Sequence, residues 1–196
     1  MQDESGEGTG EGTPAPGKYA RVERERRFLL ARAPDEASAT AVRLITDRYL
    51  TGTRLRLRRS ERPDTGAREL KLTQKIPAAR RGAGAVQGLV TNMYLSEEEY
   101  RALAVLPAAS LVKRRLSVPP FGIDVFAPPL HGLVLAEAEF TGDEEADAFV
   151  PSRRYVAEVT DDPRFTGGTL VRTPRADLLS WLAAYGIHPD TAPAPS

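Results

Sequence analysis

The chain has 196 residues, 41% hydrophobic and 28% charged, with 27 Lys and Arg set against 27 Asp and Glu. That length suits one domain with a real core, its apolar runs fall far short of the about 20 residues a membrane helix needs, and its balanced charge argues against a general DNA coat. The lack of cysteine excludes disulfides, Cys–zinc sites and thiol catalysis, while His131 and His188 stand far apart and read as solvated loop residues.

Residues 1–18, rich in Gly, Glu, Thr and Pro, have no apolar content to bury and read as a disordered acidic tail. The acidic start Met1-Gln2-Asp3-Glu4 leads into no apolar stretch, so it does not resemble a secretory signal and implies a cytoplasmic protein. Strands are predicted at 20–30, 45–50, 53–60, 68–76, 89–95, 110–118, 122–127 and 133–141. Arg62-Pro63-Asp64-Thr65-Gly66, Pro119-Pro120 and Pro128-Pro129 mark turns between them. Helices are fewer. One is expected over 35–44. Ser96 followed by Glu99 forms a capping box that opens a second helix, ended by Pro107. A short acidic helix is expected over 143–149, and Leu178, Leu179, Trp181 and Leu182 predict another over 175–185, with Gly186 as its C-cap. One domain over 19–186 is left, followed by a loose Pro/Ala-rich tail at 187–196.

Alternate side chains of a strand point to opposite faces. Glu23, Glu25 and Arg27 therefore share a face opposite Val22 and Phe28, and Arg54, Arg56 and Arg58 share one opposite Leu55 and Leu57. Lys71, Thr73 and Lys75 oppose Leu70 and Leu72; Lys113 and Arg115 oppose Val112 and Leu116; Glu137 and Glu139 oppose Ala136 and Ala138. A half-exposed sheet with solvated charges would also alternate. Here the charges are segregated by sign, and like charges packed on one sheet face repel. A ligand that neutralises them removes that conflict. Carboxylate oxygens suit hard cations such as Mg²⁺ or Mn²⁺, and arginine and lysine suit phosphate. Closing the sheet into a barrel would gather these faces around a polar lumen. The aromatic residues Tyr94, Tyr100, Phe140 and Trp181 read as core packing rather than as a nucleobase site.

Glu23-Arg24-Glu25-Arg26-Arg27 resembles the ExExK signature of the CYTH family, the triphosphate tunnel metalloenzymes, with Arg27 in place of the usual lysine. Leu55-Arg56-Leu57-Arg58, Leu72-Thr73-Gln74-Lys75, Lys113-Arg114-Arg115, Ile123-Asp124-Val125-Phe126, Glu137-Ala138-Glu139 and Glu158–Phe165 are similar to the later motifs of that family, in its order. The resemblance implies an eight-stranded antiparallel β-barrel, a tunnel with a charged lumen and a few outer helices. It implies Glu23, Glu25, Glu137 and Glu139, with Asp124 as a lesser candidate, as ligands of Mg²⁺ or Mn²⁺. It implies Arg27, Arg56, Arg58, Lys75, Lys113, Arg115 and Arg164 as phosphate ligands, with Glu25, Arg27 and Lys75 closest to the chemistry. The chain departs from the family at Val86-Gln87-Gly88-Leu89-Val90, where many members carry an R-x-E-x-E pattern, and at Thr166-Gly167-Gly168-Thr169, where a lysine is common.

The expected function is cation-dependent hydrolysis of a triphosphate, with inorganic tripolyphosphate preferred over a nucleoside triphosphate. The strand without carboxylates motivates a competing expectation, a polyphosphate- or nucleotide-binding module without turnover. A third is an adenylate cyclase on the same scaffold. The sequence leaves the oligomeric state open.

Overall fold

The computed structural model describes residues 18–77, 84–151 and 155–189. The expected tail at 1–17 and most of that at 187–196 lie outside the described residues, but Ile187 is buried in the core.

Nine strands are present among the described residues. They are β1 (Arg21–Leu29), β2 (Ala41–Leu50), β3 (Leu55–Glu61), β4 (Arg68–Pro77), β5 (Val86–Tyr94), β6 (Ala108–Val118), β7 (Phe121–Phe126), β8 (Val134–Glu139) and the two-residue β9 (Ala157–Glu158). Their order is β5-β4-β3-β2-β6-β7-β8-β1-β9, and β5 also pairs with β1, so eight antiparallel strands close into a barrel. β1 makes the closure by dividing one of its edges. Residues 21–24 pair with β5 and residues 28 and 29 with β9, and an irregularity in register between Glu23 and Arg24 lets the strand change partner. Its other edge runs along β8. Bulges of this kind bend a strand and sharpen its twist, which closing a barrel requires.

The 35–44 expectation is corrected. Asp35 caps a single 3₁₀ turn at Glu36–Ser38, accepting from the Ala37 N–H, and the chain is already in β2 by Ala41. Ten consecutive residues of β2 pair with β6. Val42 and Ile45 are β-branched and fit that pleated surface better than a helix. The helices α1 (Glu97–Ala104), α2 (Asp143–Ala148) and α4 (Arg175–Ala183) fall where the sequence puts them. The Ser96–Glu99 capping box forms in both directions, and Gly186 follows α4 with φ of 72°. One-turn α3 (Gly167–Leu170) and β9 are too short to leave a periodic signal.

Three apolar clusters hold the barrel. Outside it, α1 covers Leu50, Leu57 and Leu72 with Tyr100 and Leu103. Also outside, Phe149 from the end of α2 packs over Phe28, Leu116, Ile123 and Ala136. The third cluster plugs one end from within. Leu29, Leu111, Phe126 and Leu135 sit on the lumen face of their strands and meet Phe165, Leu170, Leu178 and Leu182 from the C-terminal segment. Each such side chain contributes roughly 1.5–3 kcal/mol when fully buried. The lumen faces of β1, β6 and β8 are therefore charged over one part of their length and apolar over the rest, and the apolar part fixes the charged part in place.

Candidate active site

Beside the plug lies a cavity of about 650 Å³, lined among the described residues by ten basic and four acidic side chains. The alternation in the sequence accounts for it, because the charged lumen positions of β1, β3, β4, β6 and β8 supply most of the lining. Registers then set the neighbours. Glu25 stands opposite Glu139 and Arg27 opposite Glu137, which makes an acid wall from β1 and β8. Arg58 stands opposite both Asp47 and Lys71, and Arg56 opposite Thr73, which makes a basic wall from β2, β3 and β4.

Of the residues expected in the site, Glu23, Glu25, Arg27, Arg56, Arg58, Lys75, Lys113, Arg115, Glu137 and Glu139 all line this cavity. Asp124 lies beside it on the lumen face of β7, fully buried and outside the lining, and accepts from Lys113 Nζ, from Arg115 Nε at 2.7 Å and from Arg115 Nη2 at 2.7 Å. Its oxygens are spent on holding those two bases toward the lumen. Arg164 is placed elsewhere. Its guanidinium bonds Asp162 and the Tyr185 hydroxyl and lies over the Trp181 ring. Arg27 carries two burdens. Its fork donates to the carbonyls of Phe165 at 3.1 Å and Thr160 at 2.5 Å and to Gln87 Oε1 at 3.1 Å, so it ties the plug to the barrel. Its Nε, and that of Arg56, are buried without an acceptor.

Several lining or supporting residues escaped the sequence reading. Asp47, buried on the lumen face of β2 beside Arg58, accepts from both Arg58 Nε at 2.6 Å and Nη2 at 2.7 Å. Those guanidinium groups hold its carboxyl well below the ordinary range despite burial, which acts in the opposite sense. Its signal was a lone acid two residues from Tyr49 on the lumen face of β2. Tyr94 was expected in the core and instead lines the cavity, largely exposed, with Lys71 Nζ 5.5 Å from its ring centre. Tyr49 reaches the cavity against Gly167, where any Cβ would collide with its hydroxyl. Burial pushes that phenol up to about 12. His131 is also unlike its expectation: both ring nitrogens are shielded and unbonded.

Burial pushes the Glu25 carboxyl up to about 7, and the Glu137 and Glu23 carboxylates add to the shift against the opposing pull of Lys75 and Arg27. Glu137 goes the other way, because Arg115 and Lys113 outweigh its burial. Between its ordinary value of 4.5 and about 7, folded Glu25 keeps a proton that the unfolded chain has lost. Its contribution to stability therefore falls as pH rises through that window, by roughly 3 kcal/mol at most. Without divalent cations, Glu25→Gln should match wild type near pH 5 and exceed it by about 1–3 kcal/mol at pH 8. Urea unfolding in EDTA at both pH values checks this, and a gap that does not change with pH contradicts it.

Among the described residues, no three acidic or imidazole side chains are gathered tightly enough to hold a cation as they stand. Glu23 is turned to Lys75 Nζ at 2.7 Å and Glu137 to Arg115. The donor set nonetheless fits a hard divalent ion, because four carboxylates and no nitrogen or sulfur ligand share one wall. The Glu25 carboxyl, buried among like charges, is stabilised by any cation that arrives.

No protein-family model matches the chain. It is 32% identical over 165 residues to the inorganic triphosphatase of Nitrosomonas europaea, a match spanning 76% of this chain and 96% of that protein. The solved structure of the inorganic triphosphatase NE1496 shares the fold with a TM-score of 0.50 at 25% identity, covering 79% of this chain and 97% of that one. A second solved chain, the hypothetical protein NE1496, gives 0.50 at 28% identity over 78% and 99%. No helix among the described residues is long and apolar enough to cross a membrane.

Proposed function

Because the chain belongs to the CYTH family of triphosphate tunnel proteins, we propose that it is a divalent-cation-dependent triphosphatase that prefers inorganic tripolyphosphate. The observation that carries this reading is the cavity itself: ten basic side chains gathered around a wall of four carboxylates. So many like charges at close quarters repel one another, and phosphate oxygens offset them through charge-assisted hydrogen bonds.

Arg56, Arg58, Lys113 and Arg115 grip the phosphate chain. Asp47 and Asp124 hydrogen-bond Arg58, Lys113 and Arg115 in position, and Asp47 also stands 3.6 Å from Arg56 Nε. Glu23, Glu25, Glu137 and Glu139 supply the oxygens that hold Mg²⁺ or Mn²⁺. Bound there, the ion offsets the charge that builds up on the phosphate oxygens. Burial pushes the Glu25 carboxyl up to about 7, and it takes the proton from the attacking water. Water oxygen bonds to the terminal phosphorus, the bridging P–O bond breaks, and pyrophosphate leaves with Arg27 and Lys75 nearest the acid wall to neutralise it. Tripolyphosphate is favoured because the cavity offers no aromatic slot. Of its aromatic side chains, Phe165 is buried in the plug, Tyr49 is held against Gly167 and Tyr94 is alone at the surface.

The test is orthophosphate release from tripolyphosphate and from ATP, with Mg²⁺, Mn²⁺ or EDTA. Release that needs a cation and is faster from tripolyphosphate is expected. Binding without release would instead mark a sensor module, and cyclic AMP formed from ATP would mark a cyclase.

A further inference from the structure

We propose that the cation and the triphosphate bind this cavity by partner exchange, each freeing the side chains that the other needs. The inference rests on the triphosphatase reading above. Three ion pairs join the acid wall to bases of the same cavity: Lys75 with Glu23 at 2.7 Å, Arg115 with Glu137, and Arg27 with Glu25 at 3.8 Å. Each of these pairs ties a carboxylate meant for the cation to a base meant for phosphate. The cavity is thus neutralised along β1 and β8 by its own side chains, which turn the carboxylates apart so that no three converge among the described residues.

A cation arriving alone competes with Lys75 and Arg115 for its ligands. A polyphosphate arriving alone competes with Glu23 and Glu137 for its own. When both arrive, the carboxylates turn to the cation and the bases to phosphate, and no buried charge is left unpaired. Linkage requires the help to be reciprocal. The buried pairs of Asp47 and Asp124 take no part, since neither carboxylate lines the cavity and both stay bonded to Arg58, Lys113 and Arg115.

Simple attraction between a bound cation and a bound anion would also make them cooperative, so the distinguishing measurements use one ligand at a time. Lys75→Ala releases Glu23, whereas Arg54→Ala removes an equal charge from the same cavity at a residue that makes no ion pair among the described residues. Glu23→Gln likewise releases Lys75, and its charge-matched control is Glu139→Gln, on the same wall and without an ion pair among the described residues. Calorimetric titration of the full chain with Mn²⁺ alone should show Lys75→Ala binding about fivefold or more tighter than Arg54→Ala. Titration with tripolyphosphate in EDTA should show Glu23→Gln tighter than Glu139→Gln by a similar factor. Circular dichroism melts confirm that all four variants are folded. If each variant matches its control while both ligands bind, exchange is overturned and the triphosphatase reading stands. If neither ligand binds wild type, alone or together, both fall.

Discussion

Replacing Glu25 by Gln should lower tripolyphosphate hydrolysis by about 10³-fold, the usual scale for removing a positioned general base. The substitution keeps the shape of the side chain and takes away both its proton affinity and its charge. Glu25 is almost fully buried, stands opposite Glu139 and lies 3.8 Å from Arg27, so no neighbour can move into its place. The loss should appear mainly in kcat at saturating cation and substrate, because Glu23, Glu137, Glu139 and the whole basic wall remain. The same variant is expected to be more stable than wild type above neutral pH, since it no longer buries a carboxylate among carboxylates. Gain in stability with loss of turnover is the signature of a functional residue held against its own preference. A variant that is inactive because it is unfolded would show neither that stability nor tripolyphosphate binding. Steady-state kinetics with urea unfolding separates the cases, and retention of more than a tenth of wild-type turnover would remove Glu25 from the chemistry.

Most of the cavity was legible because a strand writes its two faces into alternate letters. Arg56 and Arg58, or Glu137 and Glu139, could only share a face, and the apolar residues between them fixed which face was outward. What was not legible depended on partners far away in the chain. The segment before Ile45 reads as helical in isolation, and only its ten-residue pairing with β6 makes it a strand. Once β2 begins at Ala41, Asp47 falls opposite Arg58, and its role as the buried anchor of that guanidinium follows from register rather than from any local pattern. Tyr94 misled for a related reason. An aromatic residue in a strand is usually core, yet its position opposite Lys71 at the end of β5 puts it on the lumen face, away from the outer apolar belts. Arg164 shows the reverse error: a residue placed near the site by motif resemblance is held outside it by the turn at Asp162.

Two sets of charge make the site. Bases and acids line the cavity, and beside them on the lumen faces of β2 and β7, outside the cavity lining, stand Asp47 and Asp124. Without these two the basic wall would be a row of like charges with no buried counter-charge. With them, Arg58, Lys113 and Arg115 are held by cross-strand hydrogen bonds that fix where their remaining donors point. Among the described residues β5 offers no carboxylate at its lumen positions Gly88, Val90, Asn92 and Tyr94, so the four acids that line the cavity all come from β1 and β8.

Asp124→Asn tests the second set, and its main effect should be on folding. Asp124 is fully buried and accepts from Lys113 and Arg115. Arg115 also has Glu137, but Lys113 has no other ion pair among the described residues, and its ammonium is buried. Breaking a buried pair by removing one partner typically costs about 3–5 kcal/mol. For a chain of this size that corresponds to a fall in Tm of roughly 6–20 °C. The loss is limited by an escape open to lysine. Burial already draws the Lys113 ammonium below its ordinary value of 10.5, and without Asp124 it falls further. The unfolded chain then binds a proton that the folded chain gives up, so the stability of the variant rises with pH. Its deficit relative to wild type should be largest near pH 6–7 and shrink toward pH 9. Urea unfolding of both proteins at the two pH values measures it. A deficit under about 1 kcal/mol at pH 7 would mean that Asp124 is dispensable to the folded state, and its place would then have to be explained by the ligand alone.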